Sequence, residues 1–130
     1  MSNIFDTFTV LKPDQQMDQL TVGPDFYQSL DADYDGFKGH TLVSAHQFSA
    51  SWGVWEKHPE GDEMVILLTG RAEMKMKSAT GEESKVLERP GAFVVIPKGI
   101  WHTAIIDEPT TMLFVTPGEG TLNEESPDID

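Results

Sequence analysis

The sequence predicts an all-β protein, and two observations carry that prediction. The first is alternation: from residue 40 onward, apolar and polar side chains alternate, as in strands that bury one face. The second is spacing, because turns rich in Gly and Pro recur about every 8 to 12 residues, which is typical of a β-sandwich or barrel. No part of this region shows the period of an amphipathic helix.

The predicted strands follow one another along the chain. The even-numbered residues from His46 to His58 have the same parity, so in a strand their side chains share one face. The turn at 59–62 leads into a strand that ends at Thr69. Residues 71–77 alternate as a half-buried antiparallel strand does. Further strands are predicted at 84–88, 93–96, 101–106 and 111–116.

The two ends of the chain differ from its centre. Residues 1–25 alternate only weakly and are interrupted by Pro and Gly, which indicates an N-terminal arm with a possible edge strand. Residues 26–116 contain no linker and are expected to form one β-barrel domain, with a short strand at 26–30. Residues 117–130 carry five acidic side chains and no basic one, which indicates a solvated, mobile tail.

Composition excludes several classes of function. The formal net charge is −13, with 22 acidic and 9 basic residues, and this field repels nucleic-acid phosphates and anionic membrane surfaces. The apolar runs are far shorter than the ~20 residues that cross a bilayer. Without cysteine there are no disulfides and no thiolate ligands. The N-terminus has no secretory pattern, so we predict a cytoplasmic protein that binds neither nucleic acid nor membrane.

One acidic segment is similar in sequence to a metal-binding loop. Residues 31–36, DADYDG, resemble the opening of an EF-hand calcium loop. The twelfth position, where a bidentate Glu is needed, is Leu42, and no helical pattern flanks the segment. We interpret it as a polar turn.

Four other side chains are suited to metal binding. Glu56 and His58 are two residues apart, so in a strand they share a face, with Cα atoms about 7 Å apart. Glu63 follows after a turn, and His102 comes much later in the chain. Two imidazoles and two carboxylates suit iron(II), manganese, nickel or zinc. Carboxylates held close without a cation would cost stability, which favours a bound ion, although an empty, decayed site remains the alternative.

The two stretches that hold these residues resemble the two signature motifs of the cupin superfamily. The first motif runs Gly, five residues, His-x-His, three or four residues, Glu, six residues, Gly, and it is matched by His58, Glu63 and Gly70. The second runs Gly, five residues, Pro-x-Gly, two residues, His, three residues, Asn, and it is matched by Gly91, Pro97, Gly99 and His102. The chain departs from the motifs at three positions: Ala50 replaces Gly, Glu56 replaces the first His, and Ile106 replaces Asn.

The resemblance implies a fold, a site and an assembly. The fold would be the double-stranded β-helix, or jelly-roll β-barrel, of the cupins, with one divalent transition metal inside its mouth. The implied ligands are Glu56, His58, Glu63 and His102, and the substitution at Glu56 leaves the ligand count open. A homodimer is also implied, since small cupins commonly dimerise through their sheets.

Apolar residues near these ligands predict a pocket for a small molecule. Trp55 has the opposite parity and is expected to pack on a second sheet or subunit. His46 has the inward parity and is a minor candidate for supporting the site. The residues expected to line the pocket are Phe48, Trp52, Val54 and Trp101.

These observations predict a metal-dependent enzyme of the dioxygenase, isomerase or lyase type that acts on a small molecule. Glu56 is the candidate catalytic residue, as a general base. Two alternatives stay open, because the fold does not choose among functions. One is a non-catalytic small-molecule-binding or sensor domain, and the other is an interaction protein with a vestigial site.

Overall fold

The computed structural model describes residues 1–128 and consists mainly of β-strands. One α-helix, α1, spans Phe26–Asp33, and a 3-10 turn follows at Asp35–Phe37. No helix in this described part is long and apolar enough to cross a membrane. The strands are β1 (Thr7–Leu11), β2 (Met17–Thr21), β3 (Thr41–Phe48), β4 (Trp55–Lys57), β5 (Glu63–Thr69), β6 (Ala72–Ser78), β7 (Gly81–Leu87), β8 (Phe93–Ile96), β9 (Trp101–Ile105), β10 (Thr110–Thr116) and β11 (Leu122–Glu124).

The strands form two antiparallel sheets. One has the order β2-β1-β3-β10-β5-β8, and the other has the order β11-β4-β9-β6-β7. Several neighbours are distant in sequence, such as β3 and β10, which pair over seven residues of each strand, from Leu42↔Thr116 to Phe48↔Thr110. The predicted all-β class is confirmed.

The apolar side chains that alternate along the strands form the core between the two sheets. Inward side chains of β5, β6 and β10 meet there, and Val65, Leu67, Met74 and Met112 have no exposed surface. Burying a side chain of this size contributes about 1.5–3 kcal/mol. β5, which carries Glu63, is therefore held in a packed interior.

The N-terminal region forms more regular structure than its sequence suggests. β1 and β2 make a hairpin at the edge of the larger sheet, so the arm contributes two strands. The strand predicted at 26–30 is wrong, because these residues lie in α1. Phe26 and Leu30 are about one helical turn apart and both bury in a core shared with β1. Residues four apart also share a face in a strand, so this spacing did not distinguish the two structures. This second, smaller core consists of Phe8, Val10, Phe26, Leu30, Phe37 and Leu42.

Two polar segments are tied into the fold. Residues 31–36 end α1 and enter the 3-10 turn, where Gly36 has a φ of +66°. The segment expected to be a mobile tail contains β11, which pairs with β4 in the smaller sheet. This pairing uses backbone groups, so the acidic composition of the segment did not indicate it.

Candidate metal centre and its cavity

The four predicted ligands come from both sheets and meet between them. Glu56 in β4 lies directly opposite His102 in β9 in the smaller sheet. Glu63 is the first residue of β5 in the larger sheet, and His58 follows β4. The fold thus brings His102 beside the other three, as the hypothesis required. We call Glu56, His58, Glu63 and His102 the four-residue centre.

Two hydrogen bonds join the turns that flank the centre. The Gly99 amide donates to the His58 carbonyl at 3.0 Å, and the Lys98 amide donates to Asp62 Oδ1 at 2.8 Å. Gly99 has a φ of +78°, a backbone conformation that glycine adopts without strain. The turn before β9 is therefore attached to the turn before β5, and this attachment positions His58 next to His102.

The ligand atoms of the centre lie within 4.8 Å of one another. Glu63 Oε1 is 3.0 Å from His102 Nε2, and Glu63 Oε2 is 3.3 Å from His58 Nε2. Glu56 Oε1 is 3.6 Å from His58 Nε2 and 3.8 Å from His102 Nε2. Two atoms that each lie about 2.1 Å from one metal ion are roughly 3.0 to 3.4 Å apart at right or tetrahedral angles. The closest separations match this spacing, and Glu56 lies slightly further out.

Three of these atoms are buried and have no hydrogen-bond partner outside the centre. They are His58 Nε2, His102 Nε2 and Glu63 Oε1, and only one other buried side-chain atom among residues 1–128, Trp52 Nε1, shares this condition. Leaving a buried polar atom unpaired costs about 1–3 kcal/mol. Their convergence on one point is therefore the arrangement expected of groups built to share a cation.

The opposite sides of the same groups are held by hydrogen bonds. His58 Nδ1 bonds Thr121 Oγ1 at 2.9 Å, and His102 Nδ1 lies 3.2 Å from the Ile100 carbonyl oxygen. The Thr116 hydroxyl donates a hydrogen bond to Glu63 Oε2, with 2.6 Å between the oxygens. Such partners orient metal-binding side chains, and the contact to a carbonyl keeps the proton of His102 on Nδ1 and leaves Nε2 free to bind an ion.

The charges of the centre are strongly coupled. Burial alone lowers the pKa of His58, but the carboxylates of Glu56 and Glu63 outweigh burial and raise that pKa to about 9. Burial favours the neutral form of Glu63, yet His102 and His58 lower its pKa to about 2. At neutral pH the metal-free centre therefore holds an ionised Glu63 beside a protonated His58, and a cation would replace that proton.

Comparison with known proteins identifies the fold. No family model and no curated protein matches the chain. Among solved structures, oxalate oxidase matches 63% of this chain with a TM-score of 0.54 and 17% identity. Hydroquinone 1,2-dioxygenase from Sphingomonas sp. TTNP3, with 4-hydroxybenzoate bound, matches 58% with a TM-score of 0.51 and 19% identity. These neighbours are cupin proteins. This chain has the cupin fold.

The similarity covers only part of each chain. The match covers 45% of the oxalate oxidase chain and 58% of the dioxygenase chain, so less than two thirds of either neighbour is represented. A cupin-2 domain protein from Shewanella frigidimarina also matches 59% of this chain, with 22% identity and a TM-score of 0.48. The resemblance to the cupins that the motifs indicated is confirmed for the fold.

A cavity of about 770 Å³, partly open to solvent, reaches the four-residue centre. Phe48, Trp52 and Val54 line it, as predicted. The run from His46 to His58 is not one strand, however: β3 ends at Phe48 and β4 begins at Trp55, so Trp52 and Val54 reach the cavity from the intervening loop. Trp101 does not, because it adjoins the inward-facing His102 in β9 and therefore lies on the other face of the strand. Its ring lies beneath Lys57, whose Nζ is 5.0 Å from the ring centroid.

Some side chains at the cavity were not predicted. Tyr27 on α1 reaches the cavity and shares a hydrogen bond with His46 Nε2 at 2.8 Å. We call Tyr27 and His46 the outer wall. Thr116 and Thr121 also line the cavity and support the centre. For Thr116 the inward parity of β10 was an available signal, whereas Tyr27 depended on recognising α1.

Proposed function

We propose that this cupin binds one divalent transition metal at the four-residue centre and is a metal-dependent enzyme that acts on a small molecule. The observation that carries the proposal is the convergence of the unpartnered atoms His58 Nε2, His102 Nε2 and Glu63 Oε1 beside a cavity. Mixed nitrogen and oxygen ligands suit iron, manganese, nickel or zinc.

Glu56 differs from the other three residues of the centre in a way that suits catalysis. Its side chain is 32% exposed, against 5% or less for His58, Glu63 and His102. A bound metal would supply an electrophilic centre with exchangeable positions. Glu56 faces the cavity and can accept a proton from a bound molecule, as a general base does.

The reaction class belongs among dioxygenases, isomerases and lyases. We would test oxygen-dependent chemistry first, since an oxidase and a dioxygenase share this fold with the chain. Oxygen consumption by the iron- or manganese-loaded protein is the measurement. Stoichiometric metal and ligand binding without turnover would favour the non-catalytic alternative.

Metal analysis tests the central claim. Protein purified without an affinity tag should carry about one equivalent of a transition metal, or take it up on incubation. A double variant, His58→Ala with His102→Ala, should carry none. His40→Ala is the matched control, because His40 bonds the Lys38 carbonyl away from the centre. A wild-type protein that takes up no metal would contradict the proposal.

We also propose a homodimer, and an exposed strand supports it. β8 is the edge of the larger sheet and exposes Phe93 and Val95 by 55% and 47%. Exposed apolar edge strands favour association with another chain. Light scattering after size-exclusion chromatography should give a dimer that Phe93→Ser weakens. Val86→Ser, on the edge strand of the other sheet, should leave the mass unchanged, and a monomeric wild-type protein would contradict the proposal.

A further inference from the structure

The cavity wall carries several carboxylates and no Lys or Arg side chain. Three carboxylates line it, those of Asp31, Glu56 and Glu63. None of the chain's 9 Lys and Arg residues, all of which fall within residues 1–128, is part of the lining. An anionic molecule would therefore find no Lys or Arg side chain to pair with.

A divalent metal would not reverse this balance. Glu56 and Glu63 together neutralise the charge of the ion, and His58 and His102 must be uncharged to bind it. A histidine at position 56, as in the cupin motif, would leave one positive charge at the centre. Glu56 removes that charge, so a loaded centre is neutral and Asp31 keeps the cavity negative.

Aromatic rings form a continuous apolar surface beside the centre. The ring centroid of Trp52 is 5.8 Å from that of Phe48 and 6.0 Å from that of Phe114, and the Phe48 and Phe114 centroids are 6.1 Å apart. Trp52 is also 6.1 Å from the ring of His102, so this surface begins directly at a ligand of the centre. The cavity volume falls within the roughly 300–1,000 Å³ of small-molecule pockets. It can accommodate a molecule with one or two aromatic rings.

The polar groups of the outer wall are uncharged. Tyr27 and His46 share a hydrogen bond, and burial lowers the pKa of His46, so its imidazole is neutral near pH 7. These groups can bond a hydroxyl or carbonyl group of a ligand, and neither supplies a positive charge to attract an anion.

From these observations we propose that the cavity selects neutral or cationic aromatic molecules and disfavours aromatic carboxylates. The selection rests on the proposed function, because it assigns a ligand class to the same metal centre. Glu56 and Asp31 reject anions, and the rings of Phe48, Trp52 and Phe114 bind the apolar body of the ligand.

Calorimetric titration of zinc-loaded protein with three compounds of one shape tests the proposal. The compounds are 2-naphthylmethanol, 2-naphthylmethylammonium and 2-naphthoate. The alcohol and the ammonium compound should bind, and naphthoate should bind at least about tenfold more weakly than the alcohol. Equal or tighter binding of naphthoate would overturn the proposal, and so would failure of all three to bind.

Variants locate the origin of the charge preference. Asp31→Asn should strengthen naphthoate binding about threefold at low salt and leave the alcohol unchanged. Asp33→Asn, in the same helix but outside the cavity lining, is the matched control and should change neither. Glu56→Gln should strengthen naphthoate binding by about tenfold, with zinc content measured in the same sample.

The zinc measurement separates the two proposals. If the wild-type protein takes up no zinc but still prefers the alcohol over naphthoate, the proposed metal centre would be contradicted and the proposed ligand class would be supported. Protein with one equivalent of zinc that prefers naphthoate would support the metal centre and overturn the ligand class. If Asp31→Asn changes naphthoate binding no more than Asp33→Asn does, Asp31 does not contribute to the charge preference.

Discussion

The four-residue centre and the outer wall border one cavity but are built differently. The centre takes side chains from paired strands of both sheets, and His58, Glu63 and His102 are at most 5% exposed. The outer wall depends on α1, where Tyr27 is 54% exposed. Surface elements with few buried contacts open more readily than core strands. From this comparison we expect substitutions in the outer wall to change ligand binding and to leave metal binding at the centre unaffected.

The largest expected effect is the loss of metal binding in His102→Ala. His102 has no exposed surface and lies in register opposite Glu56, so no other group can take its place. Metal affinity, measured by competition with a chelator, should fall by more than about 100-fold. His58→Ala should behave similarly, and Glu56→Ala should lose less, because Glu56 is more exposed and further out. Equal losses in all three variants would contradict this ranking.

The next effect is a dependence of metal affinity on pH. The carboxylates of Glu56 and Glu63 raise the pKa of His58 to about 9 against the opposing effect of burial, so a metal must displace its proton. Affinity should therefore rise about tenfold per pH unit from pH 6.5 to 8.5 and level off above about 9. The pKa of Glu63, lowered to about 2, keeps that residue ionised throughout. A flat profile would show that His58 is already neutral in the metal-free protein.

A smaller loss is expected when a supporting hydroxyl is removed. Thr116→Val removes the hydroxyl that donates a hydrogen bond to Glu63 Oε2, 2.6 Å away. Partners of metal ligands contribute about 10–100-fold to affinity, and we expect the lower end here. Thr111→Val is the matched control in the same strand, since Thr111 bonds only the Thr69 hydroxyl. Equal metal affinities for the two variants would show that Glu63 needs no such support.

Sequence reasoning succeeded where two motifs resemble those of the cupins. The spacing of these motifs predicted that His102 meets His58 and Glu63, although His58 follows β4 and Glu63 begins β5 in the other sheet. It failed for elements that no motif marks. α1 was taken for a strand because only its contact with β1 reveals why Phe26 and Leu30 are one helical turn apart. β11 was missed because it is held by backbone pairing with β4.

The smallest expected effect tests whether the outer wall is independent of the centre. Tyr27→Phe removes the hydroxyl that bonds His46 and leaves the ring in place. Metal affinity should stay within about twofold of wild type, while binding of 2-naphthylmethanol should weaken about fivefold, the usual contribution of one hydrogen bond. Tyr34→Phe is the matched control, because its hydroxyl bonds Asp18 outside the cavity. A loss of metal affinity in Tyr27→Phe, absent from Tyr34→Phe, would show that α1 also supports the metal ligands.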